Sequence, residues 1–178
     1  YTDFTKEVGL WKSEQYVFYK YIEYSDQVLD LGCGTGRTTF PLYQLGDQNI
    51  LGVDITPETF ESANILNIHF GLNIDFQVGN VTNLLFEDEQ FDATIFSFNG
   101  IMSIPNQTTR NQALQEIYRV LKRDGTFIFT THDRDAEEDY LAFWKEEKER
   151  WTAERQNPRL YDFGDLITHS KNENSEIF

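Results

Sequence analysis

Val28-Leu29-Asp30-Leu31-Gly32-Cys33-Gly34-Thr35-Gly36-Arg37 is the stretch on which the reading of this chain turns. An apolar run stops at three alternating glycines, and a helix-like pattern follows. A chain with this order leaves a strand, passes a ligand at backbone distance and enters a helix. Gly32, Gly34 and Gly36 carry no Cβ, so the backbone can take positive φ and let a ligand lie against its amides. The first turn of the following helix adds N–H groups with no partner inside the helix. The stretch therefore predicts a cofactor loop.

Spacing narrows the cofactor. A dinucleotide fingerprint requires G-x-G-x-x-G, and from Gly32 its last glycine would fall on Arg37. The glycines run G-x-G-x-G instead, with Asp30 two residues before the first. A carboxylate there repels a pyrophosphate and attracts a cation such as an α-amino group. An adenosyl-like, zwitterionic ligand meets both conditions. The passage Leu29-Asp30-Leu31-Gly32-Cys33-Gly34-Thr35-Gly36 resembles motif I of the class I S-adenosylmethionine-dependent methyltransferases. An NAD-dependent oxidoreductase shares the fold logic but needs the glycine that Arg37 replaces.

A length of 178 residues predicts a folded unit with ample chain for a core. Hydrophobic residues make up 39% and aromatic residues 15%, which argues against disorder. The formal net charge is −15, from 30 acidic against 15 basic residues. Such a surface repels a nucleic-acid backbone or an anionic membrane, and no Lys/Arg cluster relieves it. One cysteine, Cys33, excludes an internal disulfide framework and a cysteine-rich zinc site, and no metal is assigned. No apolar run is long enough to span a bilayer and no signal peptide opens the chain. The reading is a soluble, cytoplasmic protein, with an N-terminus trimmed before Tyr1.

Taken in order, residues 11–24 carry Tyr16, Phe18, Tyr19, Tyr21 and Ile22 at helical spacing, with Ser13 as the expected N-cap. The resemblance implies an N-terminal helix that closes over the ligand, with Tyr16 as its site contact; the other reading is an aromatic stripe facing the core. A helix from Thr38 to Gln44 ends near Gly46. A second strand at 49–54 ends in Asp54, roughly 20 residues beyond the glycine loop, where a carboxylate accepts from ribose hydroxyls. The other reading of Asp54 is a cap for the helix announced by Thr56-Pro57-Glu58. Ile55 would lie against the adenine in the ribose reading. The helix over 57–68 is expected to bury Phe60, Ala63, Ile65 and Ile68.

A third strand over 74–78 ends in Gly79-Asn80-Val81. In the resembling family this turn carries an acid for the adenine amino group, and Asn80 stands in its place. Its oxygen can accept and its nitrogen donate, or it can simply form the turn. Acidic residues 86–92 lead into a fourth strand over 92–98, where Ser97 sits at the carboxyl end that faces a ligand crevice in open α/β sheets. The Asn/Asp-Pro-Pro-Tyr signature of amino-group nucleic-acid methylases is absent there. Residues 106–120 read as an amphipathic helix using Ala113, Leu114, Ile117, Tyr118 and Leu121, closed by Lys122-Arg123-Asp124-Gly125. A fifth strand, 126–131, ends at His132, a candidate catalytic base or substrate contact.

The alternation predicts an α/β fold: a Rossmann-like open, mostly parallel sheet with helices on both faces. The resemblance, carried in order from Val28 to Thr131, implies strand order 3-2-1-4-5. Residues 1–134 read as the cofactor domain. Residues 135–178 read as an incomplete cap or lid: a helix from Ala136 to Trp151, an extended strand over 159–169, and a turn at Asn172-Glu173-Asn174. The family sheet has seven strands and five are placed, so either the chain is a fragment of a longer protein, the favoured expectation, or a hairpin from the cap substitutes for the last two.

The resemblance implies methyl transfer from S-adenosylmethionine to a small-molecule acceptor. Asp30, Gly32, Cys33, Gly34, Thr35 and Gly36 would hold the methionine portion, Asp54 the ribose, and Asn80 with Val81 the adenine. In-line displacement from a sulfonium needs positioning rather than a metal or a nucleophilic side chain. A cofactor-binding sensor or scaffold is the other reading, since fold alone fixes no activity. The oligomeric state is left open.

Overall fold

The computed structural model describes residues 9–46, 49–133, 136–169 and 176–177. Its centre is a five-stranded parallel sheet: β1 Val28–Leu31, β2 Ile50–Asp54, β3 Asp75–Val78, β4 Phe91–Phe96 and β5 Leu121–Phe129. The strand order is β3-β2-β1-β4-β5, as expected. Leu29 of β1 lies between Leu51 of β2 and Thr94 of β4. Strand β1 is buried along its whole length, so apolar residues dominate it and Asp30 is the exception.

Side chains alternate across the sheet and build two cores. Val28, Ala93 and Ile95 meet Phe18 of helix α1 (Lys12–Tyr21), Phe40 of α2 (Thr39–Gln44) and Leu66 of α3 (Pro57–His69) on one face. Leu29, Leu31 and Val53 meet Ala113, Ile117 and Val120 of α4 (Gln107–Val120) on the other. Each large apolar side chain buried this way contributes about 1.5–3 kcal/mol. Parallel strands need such crossovers, and both faces are therefore covered.

Several expectations are corrected. Helix α1 starts at Lys12, because the carboxylate of Glu14 accepts from the Trp11 N–H at 2.9 Å and caps the turn that Ser13 was expected to cap. In α3 the buried residues are Ala63, Leu66 and Asn67, while Ile65 and Ile68 face solvent. In α4 Leu114 and Tyr118 are exposed and Val120 takes their place in the core. Lys122 to Gly125 do not close a helix. The chain enters β5 at Leu121, and these residues form a bulge between the pairs Phe91↔Leu121 and Ala93↔Thr126. Asp124 takes a φ of +65° there, and Lys122 reaches both carboxylate oxygens of Asp92 at 2.8 Å.

No helix joins β3 to β4. A guanidinium clamp holds that connection instead: Arg119 of α4 donates to the Leu84 carbonyl at 2.9 Å, the Phe86 carbonyl at 2.7 Å and Asp88 at 2.8 Å. Glu116 orients Arg119 and also accepts from the Leu84 N–H at 2.8 Å.

Helix α5 (Glu138–Thr152) follows the sheet. Residues 159–167 are turns rather than the expected strand. Only Thr168–His169 (β6) pair, antiparallel, with Glu176–Ile177 (β7). The expected turn at Asn172–Asn174 and the boundary at Arg134/Asp135 lie outside the described residues. Phe163 packs edge-on against Trp144 and Trp151. Asp162 accepts from the Gln107 N–H at the start of α4 and from Arg110 at 3.0 Å. This segment therefore seats at the end of α4 nearest the carboxyl edge of the sheet.

Candidate functional site

The glycine loop leaves β1 at that carboxyl edge, where a crevice opens in folds of this type. Gly32 takes a φ of +60°, and a Cβ added to it would stand 2.6 Å from Cε2 of Phe96. Any side chain would collide with the sheet. Gly34 takes a φ of +56°, and a Cβ added there would meet nothing within 4 Å. That open position is where a ligand can approach the backbone. Arg37, which occupies the dinucleotide glycine position, is committed elsewhere.

Arg37 forms a buried fork with Glu14 of α1, at 2.9 and 2.6 Å, and donates to the Gly9 carbonyl at 2.7 Å. The rings of Trp11 and Phe98 flank the guanidinium at 5.3 and 5.1 Å. The N-terminal segment is thus fastened to the glycine loop through Arg37. Sequence reading passed over Glu14, Trp11 and Phe98; partners separated by 23 residues or more leave no local pattern. Tyr16 stands 68% exposed on the outer face of α1 with Lys20 over its ring at 5.9 Å. Among the described residues no hydrogen bond or ring contact joins Tyr16 to the loop.

Asp30 is 1% exposed and lies beneath the loop, where the Thr39 hydroxyl donates to it at 2.7 Å. Burial pushes its carboxyl up to about 7; Thr39 and Arg37 oppose the rise, while the charges of Glu14 and Asp54 add to it. Burial also pushes the Cys33 thiol up, helped by Asp30 and Asp54, so Cys33 is not a thiolate. The side chains of Cys33 and Thr35 are both buried.

Asp54 ends β2 and serves two neighbours. It accepts from the Gly34 N–H at 2.9 Å, and from the Thr56 N–H and Thr59 hydroxyl at the start of α3, each at 2.9 Å. Thr56, not Asp54, is the N-cap of α3, so Asp54 braces the turn into the helix without capping it, and a carboxylate with about four acceptor positions keeps room for one more donor. Ile55 beside it is 64% exposed. Asn80 uses its oxygen to accept from the Thr82 N–H at 3.0 Å and hydroxyl at 2.9 Å, the turn-forming role. Val81 packs against the second core.

Ser97, at the carboxyl end of β4, is 6% exposed, and among the described residues its hydroxyl has no hydrogen-bond partner. An orphaned buried hydroxyl at the strand ends fits a polar ligand there. Phe98 and Asn99 then turn sharply, with φ of +52° and +59°. His132 follows β5 with an exposed ring, and its Nε2 lies 3.1 Å from the Asn99 side-chain nitrogen. Among the described residues no cluster of three or more His, Cys, Asp or Glu could hold a metal ion, and no helix is long and apolar enough to cross a membrane.

The fold and the family have relatives among known proteins. The PH0226 protein of Pyrococcus horikoshii has a solved structure with 32% identity and a TM-score of 0.62, over 76% of this chain and 59% of that one. A structure of S-adenosylmethionine-dependent methyltransferases from Methanosarcina mazei aligns over 96% of this chain and 77% of that one, at a TM-score of 0.73. Its 20% identity speaks for the fold alone. Demethylmenaquinone methyltransferase of Lactobacillus johnsonii is 34% identical over 108 residues, 58% of this chain and 43% of that protein. The chain spans less than half the length of the curated relatives it matches. A family profile described as a methyltransferase domain matches residues 22–175. By that match, over most of its length, this chain belongs to the methyltransferase-domain family.

Proposed function

We propose that this chain performs S-adenosylmethionine-dependent methyl transfer to a small-molecule acceptor. The observation that carries the reading is the open face of Gly34 combined with the orphaned Ser97 hydroxyl on the neighbouring strand end. S-adenosylmethionine supplies a methyl group on a sulfonium centre, electrophilic enough to be taken in line by a positioned acceptor. The protein's task is then to bind, orient and keep water away.

In this reading the loop amides of Gly32, Cys33, Gly34, Thr35 and Gly36 carry the methionine portion. Asp30 beneath them supplies negative potential for its α-amino group. Asp54 uses its remaining acceptor position for a ribose hydroxyl. Ile55 and Val81 bracket the adenine, and Asn80 offers amide hydrogens to the ring, its oxygen being taken by Thr82. Ser97 finds its missing partner in the ligand. The segment fastened by Arg37 covers the mouth, while Tyr16 on the outer face of α1 takes no part in it. His132 faces the acceptor side.

Residues 1–134 form the cofactor unit and 135–178 an acceptor cap. The Asp162 contacts with Gln107 and Arg110 support that placement. The relative from Lactobacillus johnsonii is named for a small-molecule acceptor, which favours one here. A net charge of −15 favours neutral or cationic acceptors over nucleic acid, and a cytoplasmic setting completes the reading. Calorimetric titration with S-adenosylmethionine, its demethylated product and NAD tests it on wild type and Asp54→Ala. Binding of the sulfonium pair, weakened in a folded variant and absent for NAD, is expected. A folded wild type that binds neither member of the pair would overturn the reading.

A further inference from the structure

The carboxyl ends of β4 and β5 are tied together by a polar network separate from the glycine loop. Two consecutive residues outside glycine, Phe98 and Asn99, adopt left-handed backbone after β4. That conformation costs about 1–2 kcal/mol per residue, least for Asn, and survives where the surroundings impose it. The turn brings the Asn99 N–H onto the Thr130 hydroxyl at 2.8 Å and its side-chain nitrogen to 3.1 Å from Nε2 of His132. On the same segment, the Met102 sulfur accepts from the Thr131 hydroxyl at 3.0 Å and the His132 N–H at 3.4 Å. Both the backbone and one ring nitrogen of His132 are held, while the ring stays exposed.

An amide nitrogen donates and cannot accept. The His132 Nε2 facing it is therefore bare, and in the neutral imidazole the proton sits on Nδ1. We infer that Asn99 is a positioning residue that fixes His132 as the Nδ1–H tautomer, so that His132 meets the methyl acceptor as a hydrogen-bond donor and not as a general base. This rests on the reading of the crevice as a methyl-acceptor site. A base must offer a lone pair to the proton it removes. The lone pair on Nε2 is engaged by Asn99, and the other nitrogen offers a hydrogen. The acceptor class this suits carries a phenolic, enolic or carbonyl oxygen beside its nucleophilic atom.

The test is long-range proton–nitrogen NMR of the His132 ring in 15N-labelled protein, with the signals assigned by their loss in His132→Gln. Wild type, Asn99→Gly and Asn99→Asp are compared, each with and without S-adenosylhomocysteine, at a pH where the ring is neutral. Glycine suits the left-handed backbone and deletes only the amide. Aspartate accepts where Asn99 donates, so it should draw the proton onto Nε2. The expected result is Nδ1–H in wild type, a shift toward Nε2–H in Asn99→Gly, and inversion to Nε2–H in Asn99→Asp. Nε2–H in wild type, or the same tautomer in all three proteins, would overturn the inference. Failure of S-adenosylhomocysteine to bind folded wild type would instead sink the methyl-transfer reading, so the two failures are told apart.

Discussion

Replacing Asp30 by Asn is predicted to stabilise this fold at alkaline pH while weakening its hold on a cationic ligand. Asp30 sits in the central strand with the Thr39 hydroxyl bonded to it, and burial raises its carboxyl from 3.8 to about 7. Between those values the folded protein keeps a proton that the unfolded chain has released. Stability from this group is therefore greatest below about pH 4, falls as pH rises, and levels off above about pH 7. A carboxyl moved from 3.8 to about 7 corresponds to a loss of about 4 kcal/mol across that window. Asn keeps an acceptor for Thr39 and carries no charge, so the loss should vanish. Chemical denaturation of both proteins at about pH 4.5 and about pH 8 measures it. The advantage of Asp30→Asn should grow by several kcal/mol between the two. Comparing pH values cancels the change in packing, which is common to both. An advantage that does not change with pH would refute the placement of Asp30 as an acid whose burial outweighs the opposing charge of Arg37.

Ser97→Ala removes a hydroxyl that has no partner, so stability in urea should stay level or rise slightly while calorimetry reads cofactor binding about tenfold weaker. Gly34→Val places a branched side chain on the open face at a φ of +56°; cofactor binding should be abolished, with a stability loss of about 1–2 kcal/mol in the same denaturation series. Arg119→Ala releases the connection between β3 and β4 and leaves the carbonyls of Leu84 and Phe86 without their donor; urea unfolding should register a loss of about 2–3 kcal/mol.

The parts of this architecture that were legible in the sequence are those written locally. Alternating glycines after an apolar run marked the loop, and the acid at the end of the next apolar run marked Asp54. The alternation of strands and helices marked the parallel units, and their order came from the family resemblance rather than from any local pattern. What escaped was written at a distance or written ambiguously. Nothing beside Glu14 or Arg37 in the chain announces the buried fork that folding makes of them. Ser13 looked like a cap because a hydroxyl precedes Glu14, yet Glu14 itself reaches back to Trp11. Gly125 looked like a helix stop, but the helix ends at Val120 and the Lys122–Gly125 stretch is absorbed by a bulge. Asn99 carried no motif at all. Its importance comes from a left-handed backbone and a histidine on another strand.

The central claim is that the loop from Gly32 to Gly36 holds S-adenosylmethionine. A crystal structure of the chain with S-adenosylhomocysteine tests it most directly. The ligand's methionine portion should lie over Gly34, a ribose hydroxyl on Asp54, the adenine between Ile55 and Val81, and a ligand atom within hydrogen-bond reach of the Ser97 hydroxyl. Ligand bound away from the carboxyl ends of β1 and β4, or bound there with Ser97 still unpartnered and Gly34 untouched, would contradict it.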